Sequence, residues 1–198
     1  MNTEIFRLIN NLAHRSTVLD NVMIFFSKYV PYIFMAVIAI VFILGVIKND
    51  EKYRKVSFST FTITVINLVL SFIMGSIYYV DRPFVHNKVN LLFPHVEDAS
   101  FPSDHATGTM SIALGLMKYN RVVGIILTTL SIIVGFSRVY VGHHYPSDVV
   151  GAYIMVLITN YLYNLVLRNK VEEVYTKVEK LLISKLNFKK TVDGNIIK

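Results

Sequence analysis

Apolar residues run along this chain in long blocks separated by short polar breaks. Val30 to Ile47 carries no charged residue and is long enough to cross a bilayer as a helix. Val56 to Val80 is also charge-free, and Val122 to Phe136 and Val149 to Leu167 follow the same pattern. His105 to Met117 is a shorter apolar stretch. Tyr29, Tyr32, Tyr78, Tyr79, Tyr140 and Tyr145 fall near the ends of these blocks, where interfacial aromatics gather. The pattern predicts an all-α fold: a polytopic membrane helical bundle of five spans, or six if the N-terminal segment also crosses. Within Val56–Val80, the residues Thr60, Thr64, Asn67, Ser71 and Gly75 recur in steps of three and four. They place a small and polar stripe on one helix face, as helix packing inside a membrane requires.

The two ends of the chain read differently. In residues 1–27, Ile5, Leu8, Ile9 and Leu12 repeat at helical spacing, but Glu4 and Arg7 interrupt them and no small-residue cleavage site follows. This is not a signal peptide; it predicts amphipathic helices on or entering the membrane surface. Thr17 with Asp20 reads as a helix N-cap. In residues 168–198, Val171, Val174, Val178, Leu181 and Leu182 alternate with lysines. That predicts a basic amphipathic helix on an anionic inner leaflet. A short dimerising coiled coil is the alternative, so a homodimer stays open. The whole chain of 198 residues is sized for one domain.

Composition narrows the class. Hydrophobic residues make up 54% of the chain and charged residues 17%, against about 25% charged in soluble domains. Disorder and a soluble nucleic-acid-binding role are excluded, and membrane lipids become the expected surroundings. The absence of cysteine removes disulfides, thiolate metal sites and a cysteine nucleophile. The net charge of +7 has a membrane explanation. Lys48–Lys55, Lys118–Arg121 and the tail from Arg168 hold four, two and eight of the 20 Lys and Arg residues. By the positive-inside rule these lie on the cytoplasmic side. Segments 81–104 and 137–148 then face the extracytoplasmic side.

Three polar clusters stand out: Asp81-Arg82-Pro83, Ser100 to His105, and Ser137-Arg138 through His143-His144 to Asp148. All fall at the outer ends of predicted spans, so an alternating bundle would gather them in one layer. Arginine presents a planar fork of donors matched to phosphate. Pro102 and Ser103 read as the first turn of a helix with Ser100 as its N-cap, and a helix start offers free N–H groups to an anion. Two histidines beside a phosphate can divide the chemistry, one attacking phosphorus and the other moving protons. Asp148, four residues after His144 and just past Pro146, can reach back to hold the second ring nitrogen of His144. No metal or other cofactor is needed. Asp98, Asp104 and the histidines show no recognised metal-ligand spacing, and His14, His86 and His95 read as non-catalytic.

These clusters resemble the signature of the type 2 phosphatidic acid phosphatase superfamily: Lys-x6-Arg-Pro, Pro-Ser-Gly-His, and Ser-Arg-x5-His-x3-Asp. The matches are Arg82-Pro83, Pro102-Ser103-Asp104-His105, and Ser137-Arg138 with His144 and Asp148. The strings FPSDHATG and GFSRVYVGHHYPSDVVG are similar to the bacitracin-resistance branch, the undecaprenyl-diphosphatases. The resemblance implies that His144 is the nucleophile and Asp148 its partner, while His105 serves as general acid and then base. It implies that Arg82, Ser103 and Arg138 hold the phosphate oxygens, with the backbone N–H of Asp104 also turned to phosphate. Spacing from Arg138 selects His144 over His143. The implied substrate is a polyprenyl diphosphate, cleaved at the extracytoplasmic face of a bacterial plasma membrane to recycle a cell-wall lipid carrier. Another lipid phosphate, or lipid binding without turnover, are the alternatives. Two positions depart from the signature: its lysine falls at Gly75, with Lys88 as a loop substitute, and its glycine is Asp104.

Overall fold

The computed structural model describes the backbone of residues 1–195 and the side chains of residues 1–185. Positions 196–198 of the tail lie outside the described residues. The elements in chain order are α1 (Asn2–Asn10), α2 (Thr17–Lys28), α3 (Val30–Ile47), α4 (Glu51–Ile77), α5 (Pro83–His86), α6 (Asp104–Met117), α7 (Arg121–Tyr140), α8 (Pro146–Val166) and α9 (Arg168–Asn195). Among the described residues there is no strand, and the fold is the all-α membrane bundle expected.

Helix boundaries follow local chemistry. The Asp50 carboxylate accepts hydrogen bonds from the N–H groups of Lys52 and Tyr53 at 2.9 and 3.4 Å, which opens α4. The Asn120 side chain does the same for Val122 and Val123 and opens α7. Helix α2 starts one residue earlier than Thr17 with Asp20 suggested. Ser16 is its N-cap and accepts from the Leu19 N–H. Asp20 is drawn off instead by the His14 N–H and the Tyr140 hydroxyl, the latter at 2.8 Å.

Four helices, α3, α4, α7 and α8, are long and apolar enough to cross a membrane. The 105–117 stretch behaves differently from the other apolar blocks. Helix α6 has 14 residues, so it rises about 21 Å, short of the ~30 Å hydrocarbon core. It packs against α3, α4, α7 and α8 and is buried by them. Ala106, Ala113 and Leu116 are fully shielded, and Phe34, Leu127 and Val134 close the apolar core around its inner half.

A central helix needs close neighbours, and the stripe on α4 supplies them. Thr60, Thr64, Asn67, Ser71 and Gly75 are all buried. Asn67 Nδ2 donates to Ser111 Oγ at 2.8 Å, and Thr109 Oγ1 pairs with Ser131 Oγ on α7 at the same distance. A Cβ on Gly115 would come within 2.6 Å of the Thr60 side chain, so α4 and α6 touch nearly backbone to backbone there.

The bundle has two distinct ends. One holds α1, α2, α5 and the segments 78–103 and 141–145. The other holds the breaks after α3 and α6, where Tyr53 stacks edge-on against Tyr119 at 4.6 Å, together with α9. The three polar clusters therefore share one end and the lysine-rich breaks share the other.

Because Gly115 has no room for a side chain, Gly115→Val is expected to overpack the α4–α6 contact by about 1–3 kcal/mol. Thermal unfolding of the purified protein in detergent checks this; a midpoint within one degree of the unchanged chain would show that the two helices can part at no cost.

Candidate active site

The site is built where α6 and α8 begin and α7 ends. Helix α7 delivers Arg138 in its last turn. The chain then reverses through 141–145, and Gly142 at φ +90° makes that reversal: a Cβ there would meet the Asn90 carbonyl at 3.2 Å. His143 and His144 follow, and Pro146 opens α8 so that Asp148 sits in its first turn.

His144 is 1% exposed and held from both sides. Its Nδ1 lies 2.8 Å from the Ser100 carbonyl, which can only accept, so Nδ1 carries the proton and donates it there. That leaves Nε2 with a free lone pair, to which Arg82 Nη1 donates at 3.0 Å. The expected contact with Asp148 is looser than spacing suggested: Asp148 Oδ2 stands 3.7 Å from Nδ1. The carboxylate accepts instead from Ser100 Oγ at 2.5 Å and from the Tyr145 N–H at 2.8 Å. Asp148 thus fixes Ser100, whose carbonyl fixes the ring, and still places negative charge beside it. Burial first, then the cations of Arg82 and Arg138, hold the His144 ring far below the usual imidazole range. A neutral, correctly oriented imidazole is the result.

Ser100 is consequently not the N-cap of α6. Its N–H donates to the Val80 carbonyl and its hydroxyl is taken by Asp148. The stretch 100–103, non-helical with a bend at Phe101 and Pro102, is pinned against α8, with the Ser103 N–H donating to the Asp148 carbonyl at 3.1 Å. The helix begins at Asp104 with Ser103 as N-cap, yet the Ser103 hydroxyl makes no capping bond.

The phosphate-type donors are present and largely unused. Arg138 is 1% exposed; Nη1 donates to Ser27 Oγ at 3.0 Å, while Nε and Nη2 are buried without a partner. The hydroxyls of Ser103 and of Thr107, one turn further along α6, are also buried and unpartnered. Arg82, 5% exposed, is committed through Nε to Asp98 at 2.7 Å and through Nη1 to His144 and the His143 carbonyl. His105 lies in the first turn of α6, two residues past Ser103. The structure therefore brings His105, His144, Asp148, Arg82, Ser103 and Arg138 together.

The Asp104 side chain is engaged with α4. Its carboxylate accepts from Ser71 Oγ on α4 at 2.6 Å and lines a separate cavity of about 380 Å³ with Gly75, Glu97 and Phe101. Gly75 is accounted for as well: a Cβ there would lie 3.1 Å from Ala99 Cβ and 3.2 Å from the Phe101 carbonyl. The segment leading to Ser103 thus rests on the α4 backbone where the signature has a lysine. Lys88 is exposed on its loop.

Sequence reading missed the residues that hold this layer in place. Asn10, 2% exposed, donates through Nδ2 to the Asn90 and Tyr140 carbonyls, both at 2.9 Å, and accepts the Asn90 N–H at 2.8 Å. Asn2 pairs twice with Ser147, and Phe6 stacks edge-on against Tyr145 at 5.5 Å. Asn2, Phe6 and Asn10 are spaced four apart, so one face of α1 clamps the turn that carries His144; that spacing was the available signal. His95, read as non-catalytic, also borders the site and stacks on His143 at 4.6 Å. His143 donates from Nε2 to the Phe93 carbonyl at 2.9 Å, which ties loop 87–95 to the turn.

A buried site of anion donors around a neutral histidine, at one end of a membrane bundle, is that of a membrane phosphatase. The chain belongs to the PAP2 superfamily, whose family model matches residues 52–170. It is 35% identical to undecaprenyl-diphosphatase BcrC of Bacillus subtilis (strain 168) over 198 residues, covering 98% of this chain and all of that one. It is 34% identical to an undecaprenyl-diphosphatase of Sulfolobus acidocaldarius, covering 78% of this chain and 72% of that one. Among solved structures it is similar to LpxE of Aquifex aeolicus, with a TM-score of 0.65 and 28% identity, covering 81% of this chain and 93% of that one.

Two outcomes are expected. Asn10→Leu loosens the turn without touching the reacting groups, so turnover should fall about tenfold or more while the fold survives, as comparison of kcat with circular dichroism will show. Burial, with Arg138 nearby, pushes His143 down from 6.5 to about 3. The unfolded chain therefore binds a proton that the folded chain refuses between those values, and stability falls as pH drops below about 6.5 by up to ~1.4 kcal/mol per pH unit for this histidine. Thermal midpoints from pH 7 to pH 4 should show a shallower decline in His143→Gln; an equal decline would place His143 outside the linkage.

Proposed function

We propose that the protein is an undecaprenyl-diphosphate phosphatase, releasing inorganic phosphate and leaving undecaprenyl phosphate. The observation that carries this reading is the set of buried, unpartnered donors, Arg138 Nε and Nη2 with Ser103 Oγ, next to His144 Nε2, which is unprotonated and accepts from Arg82 Nη1. Buried donors without partners each cost about 1–3 kcal/mol, so they imply an anionic ligand that completes them. The near full-length similarity to BcrC supports the choice of lipid.

In the reaction, His144 Nε2 attacks the terminal phosphorus. The bond from phosphorus to the bridging oxygen breaks, and His105, which takes up a proton when the negative diphosphate binds beside it, passes that proton to the bridging oxygen as the lipid phosphate departs. Arg138 and Ser103 hold the equatorial oxygens, where charge is greatest in the transition state. Arg82, whose Nη1 donates to Nε2, turns that group to the incoming phosphate and frees the lone pair. The imidazolium formed on His144 is steadied by the Ser100 carbonyl and the Asp148 carboxylate on its Nδ1 side. His105 then takes a proton from water, the hydroxide attacks the phosphohistidine, and phosphate leaves.

The charge distribution supports a site facing the extracytoplasmic side of a plasma membrane, since the lysine-rich breaks lie at the opposite end. There the enzyme would return the spent carrier lipid to its monophosphate and deplete the diphosphate that bacitracin sequesters.

Phosphate release from undecaprenyl diphosphate, measured in detergent with excess EDTA, tests the reading. The unchanged chain is expected to turn over, and His144→Ala to lose at least ~10³-fold. Arg138→Lys, which replaces a fork by a single ammonium, is expected to lose about 10²-fold. No release by the unchanged chain, with faster release from phosphatidic acid under the same conditions, would move the assignment to another lipid phosphate. Activity lost in EDTA and restored by a divalent cation would overturn the metal-free chemistry.

A further inference from the structure

The end of the bundle opposite the active site carries α9, and the structure gives this helix three distinct sides. One side is fastened to the bundle. Glu179 accepts from Arg54 Nε at 2.6 Å and from Nη2 at 3.2 Å, while Arg54 Nη1 donates to the Gly45 carbonyl at 2.8 Å. Tyr175 donates to Glu179 at 2.7 Å and packs on Phe42 and Phe58, with ring centroids 6.5 and 5.1 Å apart. Arg54 is 9% exposed, so this is a seated attachment of α9 to α3 and α4.

The other two sides are free. At 3.6 residues per turn, Glu173, Lys177 and Lys180 share one side with Lys170, and all four are exposed. Val174, Val178, Leu181 and Leu182 share the third side and are 57, 50, 61 and 58% exposed, although the same helix turns a packed face to the protein. The apolar side continues the exposed surface of α8, where Leu165, Val166 and Leu167 run directly into Arg168. Because α8 is one of the spanning helices, α9 begins at the level where the apolar belt of the bundle ends.

We propose that α9 is a docking surface for an anionic phospholipid leaflet. The Val174/Val178/Leu181/Leu182 side beds among the acyl chains beside the bundle. The lysine side lies against the headgroups, and Arg54–Glu179 sets the roll of the helix so that both are satisfied at once. Charge complementarity selects lipid as the occupant: lysines flank an apolar strip at the membrane boundary, where an anionic surface attracts them. A second copy pairing through the strip would bring those flanking lysines together. The surface lies at the far end from the active site, so the proposal stands independently of the reaction.

The chain has no cysteine, so single cysteines can be introduced and spin-labelled without background. Val178→Cys and Leu181→Cys probe the apolar side; Glu173→Cys and Lys180→Cys probe the charged side. All four positions are exposed, and the one ion pair among them, Glu173 with Lys177 at 2.7 Å, lies within α9 on its surface, so the fold is not at stake. The labelled full chain is placed in bilayer discs of phosphatidylcholine alone or with phosphatidylglycerol. Relaxation by a water-soluble nickel chelate is expected to be several-fold weaker at 178 and 181 than at 173 and 180. The contrast should grow with phosphatidylglycerol, and the contrast of 178 and 181 against 173 should shrink in a Lys177→Gln, Lys180→Gln background. Equal accessibility at all four positions would overturn the proposal, as would spin–spin broadening at 178 and 181 that disappears on dilution with unlabelled chain, which would assign the strip to a second copy.

Discussion

Two guanidinium groups buried at one end of a membrane bundle set the terms for everything around them. Removing a cation from water costs several kcal/mol unless a counter-charge or a full set of acceptors replaces the lost hydration. Arg82 meets that cost with Asp98, the His143 and Ala99 carbonyls and the lone pair of His144. Arg138 meets it only in part, through Ser27. The pocket is thus assembled as a site of unsatisfied positive charge, and a phosphoryl group is the ligand proposed to resolve it. Burial first, and then the same positive field, keep His144 neutral, so the cations proposed to attract the substrate also help to keep its Nε2 unprotonated.

The architecture can be understood as the scaffold for that constraint. A helix spanning the full membrane could not begin inside the protein with its N–H groups and Ser103 hydroxyl facing a ligand. Helix α6 is short, begins at the site and is enclosed by four others, so its first turn is buried with the arginines. The stripe on α4 and the glycine on α6 allow the approach that this enclosure demands. Above the site, α1 locks the reversal at Gly142 through Asn10, and Asp148 locks segment 100–103 through Ser100. His144 is therefore oriented by two separate pieces of chain, neither adjacent to it in sequence.

What could be read from residue order was whatever depends on local period and on chemical scarcity. Four of the five apolar blocks are the helices long enough to span, and in a chain so poor in charge the three polar clusters pointed to His105, His144, Asp148, Arg82, Ser103 and Arg138 as candidates. Contacts set by tertiary packing were less legible. Asp148 sits one helical turn from His144, but nothing in that spacing shows that Ser100 intervenes between them. Ser100 looked like a cap because Pro102 follows it, yet two other partners, the Val80 carbonyl and Asp148, take its N–H and hydroxyl. Asn10 lies eighty residues from Asn90, and no local pattern pairs them. The two departures from the family signature prove to be related: Gly75 lets Ala99 and Phe101 lie on α4, and Asp104 turns its carboxylate to Ser71 on that same helix.

The central claim is that His144 Nε2 takes the phosphoryl group, and locating that group on the protein tests it most directly. The His105→Gln chain retains the nucleophile but lacks the proton donor and base, so any intermediate it forms should decay slowly. Incubated with undecaprenyl diphosphate, quenched at neutral pH and fragmented for mass spectrometry, it is predicted to carry phosphate on His144, in a form labile to acid and stable to base. Phosphate on His143 or on a serine, or turnover by the unchanged chain with no phosphoprotein at any time, would contradict it.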